Sequence, residues 1–332
     1  MDALTSRISL VGSEPSGPED YLSTSLGVIF PDDVMNQHGD GEHSLVYASP
    51  HLPRPLALEL ADPQGDEDRR LFSHFLWNAS LLLAELVERD TLVLGDGAQG
   101  TGRQRRGSEE ARRLPEGEEF GVRGLRCIEL GAGTALPSIM AGLLGAAAVT
   151  VTDYPAQAVL RTLRTNVQAN LTQEKTPSGT DAVTSEVLVA GHSWGEFPLI
   201  PSTKQGGEND DDDGNDDAAA AATDPHRHAY DRVMVADCLW MPWQHANLRR
   251  SIGHFLSEGP SSRAWVVAGF HTGRAKMGAF FDEAALRDEA GCVVEGMWER
   301  DCEGVERAWD ADREDGITER KRWLVVAVLK RA

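Results

Sequence analysis

Basic residues are scarce relative to acidic ones, and this imbalance excludes two classes of partner. The 332 residues include 32 lysines and arginines against 53 aspartates and glutamates, so the formal net charge is -21 at pH 7. Part of that charge is local, because Glu208–Asp217 contains seven acids and no base, yet the remainder still carries about -14. Such a chain repels nucleic-acid phosphates and anionic membranes. We expect neither as a partner, and a basic protein or peptide instead.

Cysteine is also scarce, and its spacing argues against disulfide and metal sites. None of the four cysteines belongs to a C-x-x-C pair or lies near a ladder of histidines. No cluster of His, Cys and Asp has ligand spacing, so we expect no metal. Cys127 and Cys238 fall in predicted strands and are expected to be buried, reduced thiols.

Long apolar runs are missing as well. Met1–Leu10 lacks the apolar core of a secretory signal, and no run is long enough to span a bilayer. We therefore expect a soluble, monomeric protein in a reducing compartment, the cytoplasm.

The stretch that organises the chain is Arg126–Pro137, which reads R-C-I-E-L-G-A-G-T-A-L-P. Its apolar start predicts a buried parallel strand, and the glycines that follow predict a tight turn. Thr134 is expected to cap a helix over Ala135–Leu144, with Pro137 tolerated in its first turn. Strand, glycine turn and helix together bring backbone N–H groups up to a ligand.

Two acids near this turn favour a nucleoside ligand. Leu136 occupies the place of the third glycine of the dinucleotide fingerprint, which argues against a nicotinamide or flavin cofactor. Glu129 precedes the first glycine, and Asp153 ends the next predicted strand, about 20 residues after the turn, where an acid can hold both ribose hydroxyls. The alternative is a structural turn in which Asp153 caps a helix beginning at Pro155.

The remaining pattern predicts an α/β fold with a doubly wound, mostly parallel sheet and an antiparallel end. Strands alternate with helices from residue 121 onward, and Arg69–Asp90 reads as an amphipathic helix with Trp77 at the edge of its apolar stripe. We expect residues 1–43 to be a mostly disordered tail and residues 44–332 to form one domain. Polar, aperiodic stretches at about 95–120 and 198–228 predict disordered insertions.

Four predicted strand ends should meet at one rim, because ligands of such sheets bind at the carboxyl ends of the strands. Gly131–Gly133, Asp153, Trp194 and Asp237 each terminate a predicted strand. The alternatives are structural, with Trp194 packed on a loop and Asp237 capping the segment after Pro242.

With these residues in place, the chain resembles the seven-strand, S-adenosylmethionine-dependent methyltransferases with a Rossmann-like sheet. The resemblance is closest to the family that methylates lysines and N-termini of cytosolic proteins. It rests on E-L-G-A-G-T at Glu129–Thr134, G-H-S-W-G-E at Gly191–Glu196 and A-D-C-L-W-M-P-W-Q-H at Ala236–His245. The last two look like the fungal enzymes that act on translation elongation factor 1-alpha, some of which carry an older label as nicotinamide N-methyltransferases.

The resemblance implies a cofactor, S-adenosylmethionine, and a role for each matching residue. It implies that Asp237 and Trp240 act on the acceptor, where many relatives have an acid-x-x-tyrosine motif; tryptophan here removes the phenol. The residues implied in cofactor binding are Trp77, Gly131, Ala132, Gly133, Asp153, Trp194 and Ala236.

Three functions remain open on the sequence. The first is methylation of the N-terminal glycine and adjacent lysine of elongation factor 1-alpha, which suits an acidic protein with a basic partner. The second is methylation of a small amine such as nicotinamide. The third is a catalytically silent protein that binds the cofactor.

Overall fold

The computed structural model describes most of the predicted domain. The predicted disordered tail (1–43) lies largely outside the described residues, as do most of the two predicted insertions at about 95–120 and 198–228. The described ranges are 4–11, 36–39, 44–61, 75–95, 120–180, 184, 186–201 and 224–332.

The N-terminal part contributes two small antiparallel sheets and one long helix. One sheet has the order β1-β3-β4 and the other pairs β2 with β5. Strand β4 and the residue after it are hydrogen-bonded to the helix that contains Asn166 and Asn170. The backbone N–H groups of Ala57 and Glu59 donate to the side chains of Asn170 and Asn166. The elements are β1 Ile8–Val11, β2 Gln37–His38, β3 Ser44–Tyr47, β4 Leu56–Leu58, β5 Leu76–Trp77 and α1 Asn78–Gly95.

The predicted helix over Arg69–Asp90 is wrong at both ends. Residues 69–74 lie outside the described part, Leu76–Trp77 is extended, and the helix runs from Asn78 to Gly95. The strand forms because Leu76 and Trp77 pair with His38 and Gln37. Helical spacing alone did not reveal this pairing, which places the Trp77 ring beside the carboxyl ends of the central sheet.

The central sheet confirms the predicted doubly wound, mostly parallel architecture. Among the described residues it has the order β13-β12-β14-β11-β10-β6-β7-β8-β9, in which β8, β7, β6, β10 and β11 are parallel and β14 is antiparallel. Two short edge strands, β9 and β13, add to the seven expected. The strands are β6 Arg126–Leu130, β7 Ala148–Asp153, β8 Val187–Gly191, β9 Ile200–Pro201, β10 Arg232–Ala236, β11 Arg263–Gly269, β12 Cys292–Asp301, β13 Glu306–Ala308 and β14 Trp323–Arg331.

Helices cover both faces of this sheet, because its central strands are apolar on both sides. Neighbouring residues of β6 show the alternation: Cys127 packs into the cluster with Ile139 of α2, and Ile128 into the cluster with Ile252 of α4. The helices are α2 Leu136–Leu143, α3 Gln157–Asn170, α4 His245–Phe255, α5 Arg274–Gly278, α6 Glu283–Ala285 and α7 Ile317–Arg322. Within the described ranges, none of the helices has the length and apolarity needed to cross a bilayer.

The sequence also predicts one helix over Ala275–Ala290, but the structure breaks this segment into several turns. A 3₁₀ turn at Ala279–Phe281 follows α5, and a π-helical turn at Leu286–Ala290 follows α6. The break lies at Asp282, whose backbone is extended and whose side chain accepts a hydrogen bond from the N–H of Ala285. An aspartate that caps a new helix ends the preceding one.

Candidate active site

A cavity of about 400 Å³ opens at the carboxyl ends of β6, β7, β8 and β10. Its volume is within the range of small-molecule sites. All nine residues predicted for the site line it, although they come from five separate segments of the chain. They are Trp77, Gly131, Ala132, Gly133, Asp153, Trp194, Ala236, Asp237 and Trp240.

The glycine turn after β6 requires residues without a side chain. Gly131 and Gly133 have φ values of 69° and 55°, in the left-handed region that favours glycine. A Cβ at Gly131 would lie 2.7 Å from the Cys238 Sγ and 3.1 Å from the Trp194 ring, whereas one at Gly133 would meet no atom of the described residues within 4 Å. The turn is therefore packed behind Gly131 and open at Gly133.

Asp153 holds this turn in place with one carboxylate oxygen and the backbone that follows it with the other. Oδ2 accepts a hydrogen bond from the Gly133 N–H at 2.8 Å, and Oδ1 accepts one from the Tyr154 N–H at 2.7 Å. Burial raises the pKa of Asp153, although the two N–H donors oppose that shift. The alternative in which Asp153 caps the next helix is wrong, since α3 begins at Gln157 after Ala156 without a side-chain cap. Each oxygen keeps a lone pair for a further donor.

Glu129 takes the capping role predicted for Thr134. Helix α2 begins after Ala135, whose φ is 64°, and no side chain caps it at that residue; within the described ranges the buried Thr134 hydroxyl has no hydrogen-bond partner. Instead, the Glu129 Oε2 accepts the Ser138 N–H at 3.0 Å and the Ser138 hydroxyl. The prediction for Thr134 is therefore wrong, because a left-handed residue separates Thr134 from the helix.

Glu129 should make stability depend on pH. Burial raises its pKa from 4.5 to about 8, against the opposing bonds from Ser138 and with a smaller contribution from the Asp153 charge. Between these two values the folded state keeps a proton that the unfolded state has lost, so the free energy of unfolding falls as pH rises. Each pH unit in this interval changes the free energy of unfolding by up to 1.36 kcal/mol, so its decrease from pH 6 to 8 is about 2–3 kcal/mol.

We expect Glu129→Gln to remove this pH dependence, as measured by urea unfolding at pH 6, 7 and 8. Gln keeps an oxygen for Ser138 but does not titrate. Glu303→Gln is the control, because that side chain is 65% exposed and, among the described residues, pairs with the partly exposed Arg322. Equal pH slopes for wild type and Glu129→Gln would contradict the expectation.

Asp237 is held by residues at and after the end of β11. Its φ is 58°, and its buried carboxylate accepts hydrogen bonds from the Gly269 N–H at 3.0 Å and from the His271 Nε2 at 2.9–3.0 Å. The structural alternative is wrong, because the turn after Met241 has no side-chain cap. The role of Asp237 toward an acceptor stays a prediction, but the carboxylate does line the cavity.

Aromatic side chains surround the mouth of the cavity. Trp240 lines it and makes an edge contact with Trp243, at 6.4 Å between ring centroids, and Trp243 is 72% exposed. Tyr154, which the sequence did not single out, is 46% exposed and also lines the cavity. The rim therefore offers several aromatic faces to an entering molecule.

His192 and Cys238 are cavity residues that sequence reasoning missed. The His192 Nε2 is 2.9 Å from the Ser251 hydroxyl, and burial lowers the pKa of His192 to about 4, so the ring is neutral at pH 7. The Cys238 thiol donates to the Leu130 carbonyl behind the glycine turn, after β10 has ended. The signal for His192 was its place in the G-H-S-W-G-E stretch; Cys238 stands in the Ala236–His245 stretch, but the sequence predicted only a buried thiol there.

Comparison with known proteins finds similarity to one family of methyltransferases. Residues 66–199 match the family model described as lysine methyltransferase. Relatives named protein N-terminal and lysine N-methyltransferase EFM7 are 27% identical in Gibberella zeae, over 64% of this chain and 62% of that protein, and 27% identical in Yarrowia lipolytica, over 69% and 68%. The Aspergillus fumigatus relative is 26% identical over 59% and 56%.

These alignments span between about half and two thirds of the relatives' own lengths. A solved putative SAM-dependent methyltransferase from Streptococcus mutans is 10% identical, with a TM-score of 0.45, over 94% of this chain and 65% of that one. Residues 66–199 are therefore similar to the lysine methyltransferase family, and the chain is similar to protein N-terminal and lysine N-methyltransferases.

Proposed function

We propose that this protein transfers a methyl group from S-adenosylmethionine to amines of a cytoplasmic protein. The proposed acceptors are the N-terminal glycine and adjacent lysine of translation elongation factor 1-alpha. The named relatives support methylation of protein N-termini and lysines. The identity of the acceptor protein rests on the resemblance of Gly191–Glu196 and Ala236–His245 to fungal enzymes of that substrate.

One observation carries the proposal. Residues predicted from five separate segments, by spacing and by resemblance, line a single cavity of about 400 Å³. These acids and tryptophans at strand ends do not serve one common structural purpose, so their meeting at a single cavity supports a common ligand.

The residues fit S-adenosylmethionine. The Asp153 carboxylate, already fixed by two N–H donors, has a free lone pair on each oxygen for the two ribose hydroxyls. The open side of Gly133 admits close approach of a ligand to the backbone, and Trp77 and Trp194 supply flat apolar walls. When bound, the sulfonium supplies an electrophilic methyl group.

The acceptor must present a neutral nitrogen, which favours an N-terminal amine. An α-amino group with a pKa near 8 is neutral in about one molecule in ten at pH 7, against fewer than one in a thousand for lysine near 10.4. In the proposed mechanism Asp237 holds the incoming nitrogen by a hydrogen bond. Trp240 provides a cation–π face that persists as methyl groups accumulate. Positioning and exclusion of water account for most of the acceleration.

The direct test incubates the purified protein with labelled S-adenosylmethionine and unmethylated elongation factor 1-alpha. Mass spectrometry of the N-terminal peptide should show added methyl groups, and none with Asp153→Asn. Nicotinamide is supplied in a parallel reaction. Turnover of nicotinamide without a protein acceptor would favour the small-molecule alternative, and tight cofactor binding with no acceptor in a cell extract would favour the silent one.

A further inference from the structure

The Asp237 carboxylate at the cavity wall is paired with a histidine that the family resemblance did not assign. The His271 Nε2 lies 2.9 Å from Oδ2 and 3.0 Å from Oδ1 of Asp237. The Asp237 side chain is 4% exposed and that of His271 is 21% exposed, so the pair is buried on the carboxylate side and reaches water on the imidazole side. A carboxylate in this position presents the cavity with a charge that depends on its partner.

The surrounding backbone fixes the two groups against each other. Gly269 donates its N–H to the Asp237 Oδ1 at 3.0 Å, and a Cβ at Gly269 would lie 2.7 Å from the His271 Nε2. The ring of Trp77 covers the imidazole edge-on, at 4.9 Å between centroids. The imidazole therefore occupies a space that only a glycine at 269 leaves free.

We propose that His271 is a positioning residue that fixes the Asp237 carboxylate and, through its own protonation, sets the charge that Asp237 presents to the acceptor nitrogen. This inference rests on the proposed function. His271 is not among the residues that line the cavity, so it acts through Asp237.

The charged surroundings of His271 are simple in the described part of the chain. Asp237, at the end of β10, is the charged group in contact with the ring; β11 presents the Gly269 backbone and β5 presents the uncharged Trp77 ring. Burial lowers the pKa of His271, but the charge and hydrogen bond of Asp237 outweigh it, so the pKa is raised above 6.5.

The pair then has two charge states across the working range of pH. Below the raised pKa of His271 the imidazolium and carboxylate sum to zero. Above it the pair carries one negative charge, next to the site proposed for the acceptor nitrogen. Binding of a cationic acceptor should therefore strengthen as pH rises through the pKa of His271.

The test compares wild type with His271→Gln from pH 6 to 9, using a peptide of the acceptor N-terminus. Gln can donate a similar hydrogen bond but does not titrate, so position 271 carries no charge at any pH. The acceptor's own deprotonation affects both proteins alike and cancels in the ratio of their kcat/KM values. We expect the ratio of the wild-type kcat/KM to the His271→Gln kcat/KM to rise about tenfold over this range, the factor that corresponds to one pKa unit.

A second variant separates the hydrogen bond from the titration. His271→Ala should raise the acceptor KM at all pH values, and His271→Gln should restore it. A ratio of wild type to His271→Gln that stays constant with pH would overturn the proposed charge role, because a purely structural histidine gives a constant ratio.

A measurement that needs no acceptor tests the role of His271 independently of the proposed function. The His271 Cε1–H resonance, assigned by its loss in His271→Gln, should titrate above pH 6.5 in wild type and below 6.5 in Asp237→Asn, where burial acts alone. Titration at or below 6.5 in wild type would overturn the pairing. Absence of methyl transfer by wild type would overturn the proposed function and leave this measurement intact.

Discussion

Gly131→Ala should lower the free energy of unfolding by about 2–5 kcal/mol and weaken S-adenosylmethionine binding. The left-handed backbone at φ 69° costs a residue with a side chain about 1–2 kcal/mol. The new Cβ would lie 2.7 Å from the Cys238 Sγ, which is held by its bond to the Leu130 carbonyl, and overpacking of this kind costs about 1–3 kcal/mol more. Trp194, 3.1 Å from the same position, would be displaced into the cavity. Urea unfolding and titration calorimetry measure the two effects.

Gly179→Ala is the matched control for Gly131→Ala. Gly179 also has a positive φ, 89°, but a Cβ there meets no atom within 4 Å, and it does not line the cavity. The backbone cost of about 1–2 kcal/mol should therefore appear alone, with cofactor affinity unchanged. Equal losses of stability in the two variants would show that the contact with Cys238 is not the cause.

Asp153→Asn should reduce affinity for S-adenosylmethionine about 100-fold. A hydrogen bond to a charged group contributes about 1.5–3 kcal/mol, and the substitution removes the charge that the two ribose hydroxyls are proposed to meet. The amide also has only one oxygen, so either the Gly133 or the Tyr154 N–H loses its acceptor, and loss of the Gly133 bond loosens the glycine turn. Calorimetric titration of the cofactor into the folded variant gives the affinity.

Glu196→Gln is the matched control for the loss of charge. Glu196 lines the same cavity but is exposed to solvent, and its side chain takes no part in holding the glycine turn. We expect less than a threefold change in cofactor affinity, since exposed charges interact weakly. A comparable loss in both variants would mean that the overall charge of the cavity, and not the geometry of Asp153, controls binding.

The fold class could be predicted from the sequence because the spacing of apolar residues indicates which residues are buried. The apolar start of Arg126–Pro137, predicted as a buried strand, is strand β6 (Arg126–Leu130), and its burial on both sides requires helices on both faces of the sheet. The same reasoning failed at Leu76–Trp77, where helical spacing continued through residues that pair with a distant segment. It also failed at Ala275–Ala290, where the break depends on one capping side chain.

The site was predictable where strand ends carry it and unpredictable where loops bring distant residues together. The carboxyl-end rule placed Asp153, Trp194 and Asp237 at one rim, and all three line the cavity. His271 could not be predicted from the sequence, because it lies 34 residues from Asp237 and the contact joins the loops after two neighbouring strands. Glu129 was noticed as an acid, but its bond to Ser138 depends on the left-handed Ala135, which spacing does not reveal.

The indole rings of Trp77, Trp194 and Trp240 on the cavity wall make the empty and filled states optically distinct. Entry of a ligand replaces water beside three of the eight tryptophans in the chain, so intrinsic fluorescence should change on binding without any attached dye. Emission excited near the red edge of the indole band thus becomes a direct gauge of site occupancy, suited to screening variants in plate format.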